Sequence, residues 1–157
     1  MVCKAENTRV YDDIIEKLLE GPYLIIDILP EKVPADAGGQ YFAVERYFLQ
    51  PMRIRPLRRK YAEILLRLNC YYKMAVSFGI CASWETNPDP ESFCERVAEL
   101  SENDFLRALF ANQSIMIDYD CNDTYMTVYG TDPVLLERFK AFASAEGLFV
   151  WNLQQKE

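Results

Sequence analysis

Two strand-like runs, residues 114–120 and 124–129, are separated by only three residues in the last third of the chain. So short a connection between two β-rich runs is typical of a hairpin, whose strands are antiparallel. No other feature constrains the fold as strongly, because the hairpin commits part of the sheet to antiparallel pairing. We therefore expect a mainly antiparallel or mixed sheet.

The clearest helical pattern in the sequence follows Pro56. Apolar residues recur there at helical spacing, at Leu57, Tyr61, Ile64, Leu65, Leu68 and Tyr72. Proline is favoured at the first position of a helix, where its missing N–H has no helical acceptor. The pattern therefore predicts a core-facing helix that begins at Pro56.

The remaining patterns alternate between helix and strand. Helices are expected over residues 9–20 and 41–49, from Pro90, over residues 101–110, and over residues 133–146. Further strands are expected over residues 23–29, 74–80 and 148–151. About five strands and five or six helices in mixed order predict the α+β class. The length of 157 residues and the absence of a long linker favour a single domain over residues 1–157.

Composition excludes several chemistries. The chain contains no histidine, which removes Ser-His-Asp and Cys-His nucleophiles and histidine-ligated zinc. Its 6 glycines form neither a dinucleotide-binding nor a Walker motif, so no cofactor is predicted. Its 5 cysteines lack a Cys-x-x-Cys pair, which fits a reducing cytoplasm. No signal peptide or apolar membrane span is recognisable, and we expect no contact with a membrane.

Positive charge is concentrated in one segment. Residues 51–73 hold 7 basic and 1 acidic side chains, although the net charge of the chain is −7. A helix that begins at Pro56 would place Arg58, Arg59 and Lys60 in its first turn, where the helix dipole is already positive. Each cation there is unfavourable by about 0.3 to 1 kcal/mol unless a negative group lies against it. The protein's own carboxylates, an acidic partner or a small anion could supply that group.

Residues 41–60 combine these cations with aromatic side chains, which are enriched together at protein interfaces. We therefore predict a small, soluble, non-catalytic interaction or regulatory domain that binds an acidic protein surface or a small anion through this segment. The candidate binding residues are Tyr47, Arg53, Arg55, Arg58, Arg59 and Lys60. The sequence does not indicate an oligomeric state.

A histidine-free enzyme acting on an anionic substrate is the alternative. Arg58, Arg59 or Lys60 would bind the substrate, and an aspartate among residues 118–132 would act as a base or bind a metal. This interpretation names no specific catalytic residue, so we favour the binding domain.

The hairpin carries three aspartates that raise the question of a cation site: Asp118, Asp120 and Asp123. Their spacing departs from that of a calcium-binding loop at its glycine and at its last glutamate, so no metal site is predicted. Nucleic acid is not an expected partner either, because the chain outside the basic segment is strongly acidic and would repel phosphates.

Overall fold

A computed structural model describes residues 2–79 and 83–152, with side chains described from residue 8 onward. Within these residues the chain forms a seven-stranded antiparallel sheet and five α-helices. The helices are α1 (Val2–Leu19), α2 (Tyr41–Phe48), α3 (Pro51–Asn69), α4 (Pro90–Ala98) and α5 (Pro133–Ala145). The strands are β1 (Tyr23–Asp27), β2 (Ala75–Phe78), β3 (Glu85–Thr86), β4 (Phe105–Phe110), β5 (Ile115–Asp120), β6 (Met126–Tyr129) and β7 (Phe149–Trp151). The α+β class is confirmed, and the sheet has more strands than expected.

The main core lies between one face of the sheet and the helices α3, α4 and α5. α3 contributes Tyr61, Ile64, Leu65 and Leu68, all of which are fully buried. Burying a large apolar side chain stabilises the fold by about 1.5 to 3 kcal/mol, so this stripe fixes α3 on the sheet. The predicted core-facing helix is thus present.

The strand order is β3-β2-β4-β5-β6-β1-β7, and each strand is antiparallel to its neighbours. β1 lies between β6 and β7, with Ile25 opposite both Thr127 and Trp151. Ile26, the next residue, belongs to the main core. Since side chains alternate along a strand, Ile25 and Asp27 share the opposite face with Trp151.

α1 covers part of this second face. Its apolar residues pack on side chains from β2, β4 and β5, forming a cluster of Tyr11, Ile15, Leu18, Ala75, Leu109 and Met116. This cluster includes no described residue of β1 or β7. The loop after β1 and the start of α2 cover that end of the sheet instead, and a pocket lies beneath them.

Several local predictions are confirmed. β5 and β6 form the expected hairpin, and α2 occupies the expected position. The carboxylates of Asp89 and Asp132 cap α4 and α5 by accepting hydrogen bonds from the backbone N–H of Ser92 and Leu135. β2 matches most of the strand predicted over residues 74–80, although Ile80 lies outside the described residues.

The prediction that a helix begins at Pro56 is wrong. α3 begins at Pro51, directly after Gln50, and Pro56 lies inside the helix. The N–H groups of Arg53 and Ile54 both donate to the carbonyl oxygen of Gln50, at 2.9 Å, and close the first turn. The Ile54 side chain is buried in the main core, and this packing stabilises the turns before Pro56. An interior proline removes a single helical hydrogen bond, so buried contacts can outweigh it.

The prediction of a helix over residues 101–110 is also wrong, because residues 105–110 form β4. Leu106 and Phe110 face the main core, whereas Leu109 faces α1. A strand buried on both faces shows no alternation of apolar and polar residues, and its pattern resembles that of a helix. The Ser101 hydroxyl donates to a carboxylate oxygen of Asp104, at 2.9 Å, in the turn that leads into β4.

Candidate functional site

The start of α3 does not require a negative group beside Arg58, Arg59 and Lys60, because residues 51–54 form its first turn. Arg58, Arg59 and Lys60 lie in later turns, away from the positive end of the helix dipole. Their position therefore implies no unfavourable interaction that an external anion would relieve.

Arg58 belongs to the interior of the protein, with only 8% of its surface exposed. Its Nη1 donates to the carbonyl oxygens of Leu100, at 3.0 Å, and Ala98, at 3.3 Å. Its Nη2 donates to the carbonyl oxygen of Cys121, at 3.0 Å, and its Nε donates to the Tyr119 hydroxyl, at 3.2 Å. Arg58 thus joins α3 to the end of α4 and to the hairpin.

Three of the other predicted cations lie on the surface and contact groups of the same chain. Arg55 pairs with Glu99 at 3.3 Å, and Arg59 pairs with Glu95 at 2.6 Å, both across the contact of α3 with α4. The Lys60 ammonium donates to the carbonyl oxygen of Glu146, at 3.1 Å. Exposed ion pairs contribute only about 0 to 1 kcal/mol, so an acidic partner can compete for these cations. Binding by Arg55, Arg59 and Lys60 stays a prediction.

Tyr47 and Arg53 lie together where α2 meets α3. The Arg53 guanidinium lies 3.9 Å from the centre of the Tyr47 ring, so a cation–π contact joins the two helices. Half of Tyr47 remains exposed. These two predicted residues therefore form one preorganised element of the surface.

α2 contains no buried residue, although five of its eight residues are aromatic or β-branched. Phe42 is 75% exposed, and Met52, in the first turn of α3, is 88% exposed. We define the α2–α3 surface as Phe42, Val44, Arg46, Tyr47, Met52 and Arg53, all of which are exposed. These six side chains combine four apolar or aromatic residues with two arginines.

A pocket of about 240 Å³ lies on the other side of α2, at the end of β1. Its walls are formed by Ile25, Asp27, Leu29, Glu31, Lys32, Val33, Tyr41, Tyr125 and Trp151. Most of these side chains are apolar or aromatic, and Glu31 and Lys32 are exposed charges of opposite sign. A pocket with mostly apolar walls and a few polar groups is the usual form of a small-molecule site.

Asp27 is the buried charge of this pocket, with 6% of its surface exposed. Burial raises the pKa of its carboxyl, backbone hydrogen bonds from Ile28 and Leu29 oppose that rise, and Glu45 adds to it. The N–H of Ile28 donates to Oδ1 at 2.7 Å. The ion pairs found among residues 8–79 and 83–152 do not include Asp27.

Two more carboxylates lie near the pocket. The Tyr41 hydroxyl donates to Glu45 Oε2, at 2.9 Å, which places Glu45 behind the aromatic wall. Burial and then the negative charges of Asp120 and Glu45 raise the pKa of Asp123 to about 6. Burial and the charges of Asp123, Asp27, Glu45 and Asp120 also raise the pKa of Tyr125. These carboxylates therefore place negative charge near the pocket, whose walls also include Lys32.

The hairpin aspartates do not assemble into a metal site. Asp118 accepts two hydrogen bonds from Arg107, each at 2.9 Å, and Asp120 accepts one from the N–H of Asn122. In the part of the chain that the structure describes, no group of three or more His, Cys, Asp or Glu side chains could hold a metal ion.

The sequence does not indicate the pocket as a site. Asp27 offers the single available signal, because it is a charged residue at the end of an apolar strand, Tyr23–Asp27. Tyr125 and Trp151 are far from it in the chain and reach it through the strand order β6-β1-β7. Only the tertiary structure shows that the three side chains line one pocket.

Comparisons of the chain with models of protein families, with curated proteins and with solved structures found no match. Within the described residues, no helix combines the length and the apolar character needed to cross a membrane. The function must therefore be inferred from the surfaces described above.

Proposed function

We propose that the protein is a non-catalytic interaction domain whose α2–α3 surface docks on a partner protein that presents apolar side chains flanked by carboxylates. The observation that carries this proposal is α2, a helix with no buried residue and with large apolar side chains in solvent. Exposed apolar surface of this kind does not stabilise a monomer, and contiguous patches commonly mark interaction sites.

The composition of the surface supports a protein as the occupant. Aromatic residues, methionine and arginine are the types enriched at interface cores and among the residues that dominate binding energy. Phe42, Tyr47 and Met52 supply the apolar area, which a small inorganic anion would leave exposed.

The charge of the surface supports an acidic partner. Arg46 and Phe42 are four residues apart on α2 and so lie on one side of the helix. Arg53 is held against Tyr47, which lowers the entropy that it would lose on binding a carboxylate. Complementary charge of this kind mainly increases the association rate and the specificity of a complex.

Two observations disfavour the alternative of an enzyme acting on an anionic substrate. Arg58 is buried and donates to backbone carbonyls and a tyrosine. Asp118 pairs with Arg107 on the sheet face that carries Met116 and α1, opposite to the face that α3 covers. We place the binding function in the cytoplasm, which the free thiols of Cys70, Cys94 and Cys121 favour.

The test uses immobilised protein, an extract of the source cells, and direct titration of each captured protein after its purification. We expect a direct binder whose affinity falls by about ten-fold or more in the Phe42→Ala, Met52→Ala double variant and falls with added salt. Val134→Ala, at an exposed valine of α5, is the matched control and should bind like the wild type.

Three outcomes would overturn the proposal. One is that no captured protein binds directly. Another is that direct binders are equally affected by the double variant and by Val134→Ala. The third is that inorganic phosphate alone raises the melting temperature and Arg53→Ala abolishes the effect, which would indicate a small-anion site.

A further inference from the structure

We propose that the pocket beside Asp27 binds a small organic cation, with an ammonium group held by the Asp27 carboxylate and enclosed by Tyr41, Tyr125 and Trp151. This pocket lies on the opposite side of α2 from the α2–α3 surface, and the proposal does not rest on the function proposed above.

The first support is a buried carboxylate in the wall of a cavity. Asp27 is more than nine-tenths buried and lines the pocket. Its carboxylate accepts hydrogen bonds from backbone N–H groups of Ile28 and Leu29, which fix its orientation. Buried charges in proteins are normally paired, and a bound cation would supply the counter-charge.

The second support is the aromatic lining. Tyr41 of α2, Tyr125 of the hairpin connection before β6 and Trp151 of β7 border the same cavity as Asp27. Aromatic faces attract cations through their quadrupoles, and aromatic side chains beside a carboxylate commonly enclose ammonium groups.

The third support is the surrounding charge. Glu45 lies one turn along α2 from Tyr41, and its Oε2 accepts a hydrogen bond from the Tyr41 hydroxyl at 2.9 Å. Asp27 and Asp123 both experience the negative charge of Glu45. At the rim, the exposed charges of Glu31 and Lys32 have opposite signs, so the carboxylates set the sign of the potential inside.

The size and the remaining walls define the ligand class. A volume of about 240 Å³ admits a small molecule but excludes a folded segment. Ile25, Leu29 and Val33 offer an apolar wall for methyl or methylene groups. An alkylammonium or a quaternary ammonium compound has both the positive charge that Asp27 would bind and the methyl or methylene groups that this wall would contact.

The test follows the indole N–H signals of the 2 tryptophans in nuclear magnetic resonance spectra of the intact, ¹⁵N-labelled protein. The probes are n-butylammonium and tetramethylammonium chloride, with 1-butanol as the neutral comparison. We expect the ammonium probes to shift the Trp151 signal saturably. Trp84 packs edge-on against Tyr11 of α1 at a ring distance of 5.2 Å, and its signal is the internal reference.

Variants then assign the contacts. Asp27→Asn keeps the shape and an acceptor oxygen but removes the charge, and we expect it to weaken binding of n-butylammonium by about ten-fold or more. Tyr125→Leu should weaken the binding of tetramethylammonium, whereas Tyr125→Phe keeps the ring and should retain it. Lys32→Gln removes the rim cation and should leave the affinity unchanged or increase it.

The proposal is overturned if no probe shifts the Trp151 signal at concentrations up to about 20 mM, or if 1-butanol binds as well as n-butylammonium. It is equally overturned if folded Asp27→Asn binds n-butylammonium like the wild type. Should Asp27→Asn fail to fold, equal binding of tetramethylammonium by Tyr125→Leu and Tyr125→Phe would overturn it.

Discussion

The guanidinium of Arg58 donates to the hydroxyl of Tyr119, 61 residues further along the chain, at 3.2 Å. That hydroxyl in turn donates to the carbonyl oxygen of Asp123, at 2.9 Å. Nearby, the Tyr61 hydroxyl donates to the carbonyl oxygen of Thr124, at 2.6 Å. Arg58 and Tyr61 of α3 thereby fix the position of the hairpin turn, which contains Asp123 and lies near the pocket.

Replacing Arg58 by alanine should lower the free energy of unfolding by about 3 kcal/mol, because three buried carbonyl oxygens and the Tyr119 hydroxyl lose a donor. Urea denaturation measures the change. Arg59→Ala removes an exposed ion pair with Glu95 and should cost about 0.5 kcal/mol. Equal losses in the two variants would show that Arg58 is not the buried connection described.

Replacing Pro56 by alanine should stabilise the protein by about 1 kcal/mol, since Pro56 lies inside α3 and cannot donate a helical hydrogen bond. Pro51→Ala should have little effect or be slightly destabilising, because Pro51 occupies the first helical position. Thermal unfolding of both variants decides between the two starts of the helix. A loss of stability in Pro56→Ala would support a helix that begins there.

Replacing Asp123 by asparagine should change the dependence of stability on pH. Burial raises the pKa of Asp123 from 3.8 to about 6, so the native state binds its proton more tightly than the unfolded chain does. Its contribution to stability is present below pH 3.8 and is lost as the pH rises through about 6. Asp123→Asn should therefore be more stable than the wild type by about 1 kcal/mol at pH 8 and similar to it at pH 3.5.

The control for this pH effect is Asp89→Asn. The hydrogen bond from the N–H of Ser92 lowers the pKa of Asp89, so the stability that its charge contributes is present above its ordinary pKa and is lost as the pH falls. Urea denaturation at several pH values measures the free energy of unfolding of each variant relative to the wild type. As the pH rises, this difference should change in opposite directions for the two variants. A gain in Asp123→Asn that does not depend on pH would contradict the interpretation.

Replacing Gly130 by alanine should be strongly destabilising, by about 3 kcal/mol or more. Gly130 has a φ of +117°, and an added Cβ would overlap the carbonyl oxygen of Ser114 and lie 2.7 Å from Ile115 Cδ1. Gly38 also has a positive φ, of +76°, but nothing lies within 4 Å of its Cβ position. Gly38→Ala should therefore cost only about 1 kcal/mol in thermal unfolding. A similar loss in both variants would show that the contacts of the added Cβ with Ser114 and Ile115 do not determine the cost of the Gly130 substitution.

Local chemistry explains which elements the sequence predicts correctly. Asp89 and Asp132 each precede a proline, and this cap signal depends only on neighbours in the chain. The choice between Pro51 and Pro56 depends on the burial of Ile54, which is a tertiary contact. The wrong prediction of a helix at β4 has the same cause, because tertiary contacts bury β4 on both faces of the sheet and give it a helix-like pattern.

The candidate site is predictable only in part. Tyr47 and Arg53 lie on the exposed segment that the sequence indicates, whereas Arg58 lies in the interior. A list of charges along the chain does not distinguish a cation that faces solvent from one that donates to buried carbonyls. The pocket around Asp27 depends on strands that are distant in sequence and adjacent in the sheet.

α2 links the pocket to the α2–α3 surface, because its two sides border them. Tyr41 lines the pocket, and its neighbour Phe42, with ring centres 5.5 Å apart, belongs to the outer face. A shift of this short helix moves both residues together. If a pocket occupant and a docked protein favour different positions of the helix, each weakens the binding of the other by the same factor, and if they favour the same position, each strengthens it.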